Sequence, residues 1–240
     1  MSRQRKAHSR KKKRQQEEDQ PSALREYFLT IVVCTIIALF VTTYVVHPMS
    51  VPTPSMEPTI LVGDRLLIDK FTIRNGYESG LPAVPIYTVQ RQDIVVCKAL
   101  LEPEILLVKR VIGIPGDRLE IRNKVVYING EALDEPYKRH SDPNIVVGNG
   151  GRDNYSAIII PEDSYFVMGD NRDDSYDSRS WGFLPKRYLV GRPLFIFWSY
   201  QDPPDAHLRT SLVEILELYG QRLLFFVTRT RWNRMGKVLR

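Results

Sequence analysis

Ser55 is the first residue in this 240-residue chain whose surroundings suit covalent chemistry. Pro52, Pro54 and Pro58 crowd around it. Each lacks an N–H and clashes with a preceding turn, which keeps the stretch out of a helix interior. Prolines also push the residues before them, here including Thr53 and Glu57, toward extended backbone. The expectation is a stiff, extended segment presenting one small hydroxyl, a suitable support for a nucleophile. The same composition also fits a spacer between an anchor and a domain.

A serine hydroxyl needs a base. Lys109 lies in the apolar run 105–113, between Val108 and Arg110. Strand alternation puts Leu107, Lys109 and Val111 on one face and Val108, Arg110 and Ile112 on the other, so one of the two bases must meet apolar surroundings. With its ordinary pKa of about 10.4, a lysine is protonated near neutrality and cannot accept a proton. Burial disfavours the ammonium and lowers that value, and a desolvated lysine beside a serine hydroxyl can activate it without histidine. A lysine snorkelling from an edge strand is the competing reading. S-x-x-K spacing occurs only from Ser9 to Lys12, in a basic tail, and there is no G-x-S-x-G elbow.

Residues 169–179 are the third feature, dense in Asp, Asn and Ser and too turn-prone for a strand. They lack the spacing of an EF-hand loop. Their charges, Arg172, Asp177 and Arg179, are expected to pair with one another, and a hydroxyl among them could hold a lysine in place. His8, His47, His140 and His207 are scattered, so no metal site and no cofactor is expected. Cys34 falls in an apolar run and Cys97 in an expected strand, which gives no disulfide framework.

The elements that must position these groups divide the chain. Residues 27–46 carry no charge. At about 1.5 Å per residue they match a bilayer core of about 30 Å. No small-residue cleavage site follows, so a retained anchor is expected rather than a cleaved leader. Eight basic residues and no acid occupy 1–14, and the first base after the run is Arg65. The positive-inside rule then puts the N-terminus in the cytoplasm and everything past residue 46 on the outer face. The net charge of +6 comes from this tail and from five bases in 229–240; the chain between is net acidic, which argues against a nucleic-acid partner. Short β-branched runs at 65–71, 93–98, 105–113, 119–121, 125–128, 157–160, 164–168 and 194–200 read as strands, with a Gly/Pro loop over 75–85. The soluble part is therefore mainly β, a barrel-like folded antiparallel sheet. The expected layout is a basic tail at 1–26, a transmembrane helix at 27–46, a catalytic β domain at 47–117 and 160–240, and an inserted β subdomain at 118–159. Residues 212–227 fit a helix on a membrane surface or an ordinary packed helix or strand, with a second span as the remaining alternative, disfavoured by Glu214, Glu217 and Arg222.

Taken together, these stretches resemble bacterial signal peptidase I, the membrane serine endopeptidase family. The resemblance runs from about Pro48 to the end. It is carried by Pro54 to Thr59 with Gly63 and Asp64, by the run at Asp93, by Lys109 to Asp117, and by Gly169 to Arg179, in that order. Residues 231–236 resemble the family's closing stretch. The resemblance implies Ser55 as nucleophile and Lys109 as general base. It implies an oxyanion hole from the Ser55 N–H and the Thr53 hydroxyl, where a serine is usual. Ser175 would orient the lysine, Asp177 and Arg179 would form a structural ion pair, and Met49, Val51, Pro52, Met56 and Val108 would line the substrate pockets. The implied substrates are signal peptides of exported preproteins, cut after an Ala-x-Ala-like site at the bilayer. Three features depart from the family pattern: Pro54 before the nucleophile, Gln92 where glycine is usual, and a long stretch between Tyr200 and Arg231. A membrane-tethered β domain without catalysis is the alternative. A self-cleaving Ser-Lys repressor-type protease is a second alternative, but it needs a DNA-binding domain, for which residues 1–46 are expected to leave no room.

Overall fold

The computed structural model describes residues 23–70, 87–146, 151–203 and 211–239. Most of the basic tail and the Gly/Pro loop at 75–85 lie outside them. The chain divides into two compact units, residues 1–44 and 45–240.

In the first unit, α1 spans Ala23–Phe40 and one π-helical turn follows at Val41–Val45. The stretch from Ala23 to Thr43 is long and apolar enough to cross a membrane. Its large exposed side chains beyond Glu26 are Leu, Ile, Val, Phe and one Tyr, which suits a helix in lipid.

The second unit is built on two antiparallel sheets. The larger joins seven strands in the order β1-β2-β11-β3-β4-β9-β10. These are β1 (Val46–Ser50), β2 (Asp64–Asp69), β3 (Ile94–Lys98), β4 (Leu106–Gly113), β9 (Ser164–Met168), β10 (Leu184–Pro185) and β11 (Leu189–Ser199). The smaller runs β7-β6-β5-β8. It comprises β5 (Arg118–Arg122), β6 (Val125–Ile128), β7 (Glu131–Ala132) and β8 (Tyr155–Ile159). Its hairpins turn at Asn123-Lys124 and Asn129-Gly130, all four residues with positive φ. That is the primed geometry that matches strand twist.

β4 ties the core together. Val108 packs in a cluster with Val51, Met56, Ile60 and Leu66. Val111 joins Val95, Val167 and Leu184. Ile112 joins Leu119, Val126 and Phe166 under the smaller sheet. One of Lys109 and Arg110 was expected to meet apolar surroundings, and both are in fact buried. Arg110 is compensated by two bonds to the buried Asp170 carboxylate, each 2.8 Å, and by stacking over Tyr137. Among the described residues, no such carboxylate pairs directly with Lys109.

Residues 212–227 resolve into helix α3, Leu212–Leu224, and a short helix, Phe226–Arg229. Ser211 and Glu214 form a capping box at its start. Leu218 is buried and Arg222 makes two bonds to Asp202, whereas Leu216, Leu223 and Leu224 point outward, the last two 80% and 81% exposed. The short helix α2 spans Ser178–Trp181.

Candidate active site

Ser55 comes between β1 and β2. The chain leaves β1, passes Val51, and closes on itself by two bonds: Val51 N–H donates to Asp64 C=O and Gly63 N–H to Val51 C=O, both 3.0 Å. Thr53 is extended (φ −118°, ψ 150°), but Pro54–Met56 form one turn of 3-10 helix. A wholly extended segment was expected. The proline is accommodated because it occupies the first helical position, where its missing N–H has no partner to lose. Val51, Met56 and Ile60 are driven into the core on either side of Ser55, so the turn that carries it is held by its neighbours' burial. From below, Asp64 accepts bonds from Leu61 N–H, Ser199 Oγ and Arg234.

Register delivers the other groups. Val95 and Lys109 pair across β3 and β4, and Arg110 pairs with Met168 across β4 and β9. The residue after β9, Gly169, therefore arrives beside Lys109. A Cβ at Gly169 would lie 2.4 Å from the Ser55 carbonyl oxygen and 2.4 Å from Ser175 Oγ, so only glycine lets these backbones meet.

Lys109 is 3% exposed and its Nζ donates to Ser175 Oγ at 2.9 Å. Burial holds its pKa below the ordinary lysine value, against the attraction of Asp177. The Ser175 hydroxyl in turn supports the Asp177 carboxylate. With Ser175 as acceptor, the lone pair of a neutral Lys109 amine is left free for another proton.

Asp177 is fully buried. Burial opposes its ionisation, but Arg179, the Gly169 N–H and Ser175 outweigh that and hold its pKa below the usual carboxylate range. Arg179 meets both Asp177 oxygens, at 2.9 and 2.8 Å, and donates onward to the carbonyls of Arg172 and Arg152. Arg172, expected to pair within the loop, instead forms a buried ion pair with Glu135 from the smaller sheet's side. Cys97, beside Lys109, has its thiol pushed up to about 12 by burial and is inert.

A groove of ≈320 Å³ is lined by Met49, Val51, Pro52, Thr53, Ser55, Met56, Val108 and Lys109, with mostly apolar walls. Ser175, Asp177 and Arg179 stand behind it. Ile105, Leu106, Leu107, Asp174 and Tyr176 also line it and were not singled out from the sequence. Leu106 and Leu107 could have been read from the alternation of β4. Tyr176, in an irregular loop, carried no such signal. Among the described residues no group of acidic, His or Cys side chains could hold a metal.

The family model described as signal peptidase, peptidase S26, matches residues 24–198. This chain belongs to the signal peptidase family. It is 35% identical over 170 residues to a probable signal peptidase I-2 of Synechocystis, covering 70% of this chain and 71% of the relative. It is 31% identical over 188 residues to signal peptidase IB of Staphylococcus aureus, covering 75% of this chain and 92% of the relative. A solved signal peptidase I of Enterococcus faecalis aligns at 31% identity and a TM-score of 0.37, over 44% of this chain and 97% of that one. The chain is thus a serine peptidase that hydrolyses peptide bonds. Gln92 takes a positive φ of 73°, a left-handed conformation that favours glycine and is strained for glutamine.

Proposed function

We propose that this enzyme removes signal peptides from exported preproteins at a bilayer, using Ser55 and Lys109 as a dyad. The observation carrying this reading is a buried lysine, held by Ser175 and lowered in pKa, lining the same apolar groove as a serine on a rigid turn.

Neutral Lys109 takes the Ser55 proton as Oγ attacks the scissile carbonyl. The Ser55 N–H and the Thr53 hydroxyl, which makes no capping bond of its own, stabilise the oxyanion. The Lys109 ammonium returns its proton to the leaving amine, and the C–N bond breaks. A water then gives a proton to Lys109 and attacks the acyl-enzyme carbonyl, and the second tetrahedral intermediate collapses by breaking the ester C–O bond as the Lys109 ammonium returns that proton to Ser55 Oγ, which restores both groups. The desolvated site strengthens each of these electrostatic steps.

The groove runs beside the backbone of β4 and the Met49–Thr53 segment, so an extended peptide would dock there with alternate side chains inward. Met49, Val51, Pro52, Met56 and Val108 supply an apolar wall suited to small residues, in keeping with an Ala-x-Ala-like site. Helix α1 anchors the enzyme, N-terminus in the cytoplasm and groove outside, following the basic tail. Purified full-length protein in detergent should cleave a model precursor, and Ser55→Ala and Lys109→Met should not, while remaining folded. Equal cleavage by Lys109→Met would show that another base operates.

A further inference from the structure

Asn171 reaches from the polar loop to the Ser55 turn. Its backbone N–H donates to the Ser55 carbonyl at 3.1 Å, and its side-chain Nδ2 donates to the Pro54 carbonyl at 3.2 Å. One buried residue thus grips two successive carbonyls of the nucleophile turn. The Pro54 carbonyl also accepts from Glu57 N–H at 3.0 Å, so its two lone pairs are both used.

The Pro54–Ser55 peptide is trans and planar, so its C=O and N–H point in opposite directions. Fixing the Pro54 oxygen therefore fixes the direction of the Ser55 N–H. That N–H is the donor to the oxyanion. A donor serves only when aimed at the place where the oxyanion will form.

Stability does not explain the choice of asparagine. Among the described residues, its buried Oδ1 has no hydrogen-bond partner. An unpaired buried acceptor costs folding free energy, and an apolar side chain of the same shape would avoid that cost. The side chain's one described hydrogen bond goes to the catalytic turn.

We infer that Asn171 is a positioning residue: its side-chain amide, by holding the Pro54 carbonyl, aims the Ser55 N–H into the oxyanion hole. This rests on the dyad reading above. Asn171 touches no reacting atom. Lys109 is oriented by Ser175 instead, so the two devices are separable.

The test compares full-length wild type, Asn171→Leu, Asn171→Ala, Ser175→Ala and Ser55→Ala on a model precursor, with thermal unfolding alongside. Both Asn171 variants should fold and lose about tenfold to a hundredfold in kcat, below the loss for an oxyanion donor removed outright, with KM changed less than about twofold. The acid limb of their pH profiles should stay with wild type, whereas Ser175→Ala should move it. Unchanged kcat in both variants overturns the inference. So does a displaced acid limb, which would assign Asn171 to the lysine, and so does loss of the fold in both, which would make its role structural. If Ser55→Ala retains activity, the dyad reading itself falls, an outcome distinct from active Asn171 variants beside an inactive Ser55→Ala.

Discussion

Replacing Gly169 by alanine places one methyl group between two halves of the site. Its Cβ would sit 2.4 Å from the Ser55 carbonyl oxygen, 2.4 Å from Ser175 Oγ and 2.7 Å from Ser175 Cβ. Ordinary contact begins at 3.4 Å, so about 1 Å of separation must be found. The Ser55 carbonyl cannot yield cheaply, because Asn171 N–H holds it and Met56 is packed in the core. If Ser175 rotates away, Lys109 loses its 2.9 Å acceptor. Either relaxation displaces Ser55 or Lys109, the proposed dyad, by a large part of an ångström, and misplacement of about 1 Å can cost about a hundredfold in rate. That corresponds to about 2.7 kcal/mol of barrier. Overpacking should also lower stability by about 1–3 kcal/mol. The assay is kcat on a model precursor, with Gly151→Ala as control, since nothing lies within 4 Å of a Cβ there. Gly169→Ala activity within about threefold of wild type would refute the claim that this close approach sets the dyad's geometry.

Three further outcomes are expected. Because burial lowers the Lys109 pKa, kcat/KM should rise with pH along an acid limb placed below the ordinary lysine value of about 10.4. The folded state binds the Lys109 proton less tightly than the unfolded chain, so protonation there opposes folding. Lys109→Met should therefore be more stable than wild type by chemical denaturation, most at low pH, with the gain shrinking as pH rises through the folded pKa toward 10.4; a gain that grows with pH contradicts this. Gln92→Gly should raise Tm by about 2–4 °C, since relieving a left-handed glutamine is worth about 1 kcal/mol, while the Arg110 bond to the residue-92 carbonyl persists; an unchanged or lower Tm would count against strain at that position. If α3 rests on the bilayer through Leu223 and Leu224, the double change to Asp should slow cleavage of a membrane-embedded precursor severalfold and leave a soluble peptide unaffected. Equal effects on both substrates would place those leucines in the enzyme's own packing.

Much of the architecture was legible before any coordinates. β-branched runs bounded by Gly, Pro and Asn announce short strands because the pleat and the tight turns demand those residue types, as at β4, β9 and the Asn129-Gly130 turn. The charge-free run after the basic tail announces a membrane-compatible helix through length alone. Helix α3 was ambiguous because Leu218 faces inward while Leu223 faces outward, and local periodicity does not say what a face meets.

The amino-acid sequence by itself determined the reactive inventory: a serine among prolines, a lysine in an apolar strand, a polar loop, and an anchor. These follow from local sterics and hydrophobicity, which act over a few residues. Only the tertiary structure decided what each residue does. Lys109 and Arg110 are adjacent and both buried, yet Arg110 meets Asp170 and Lys109 meets Ser175, because partners 60 and 66 residues away are delivered by the register of β4 against β9. That register also carries Gly169 and Asn171 against the Ser55 turn, more than a hundred residues earlier. Long-range pairing of this kind is set by the packing of whole sheets, and no local pattern encodes it.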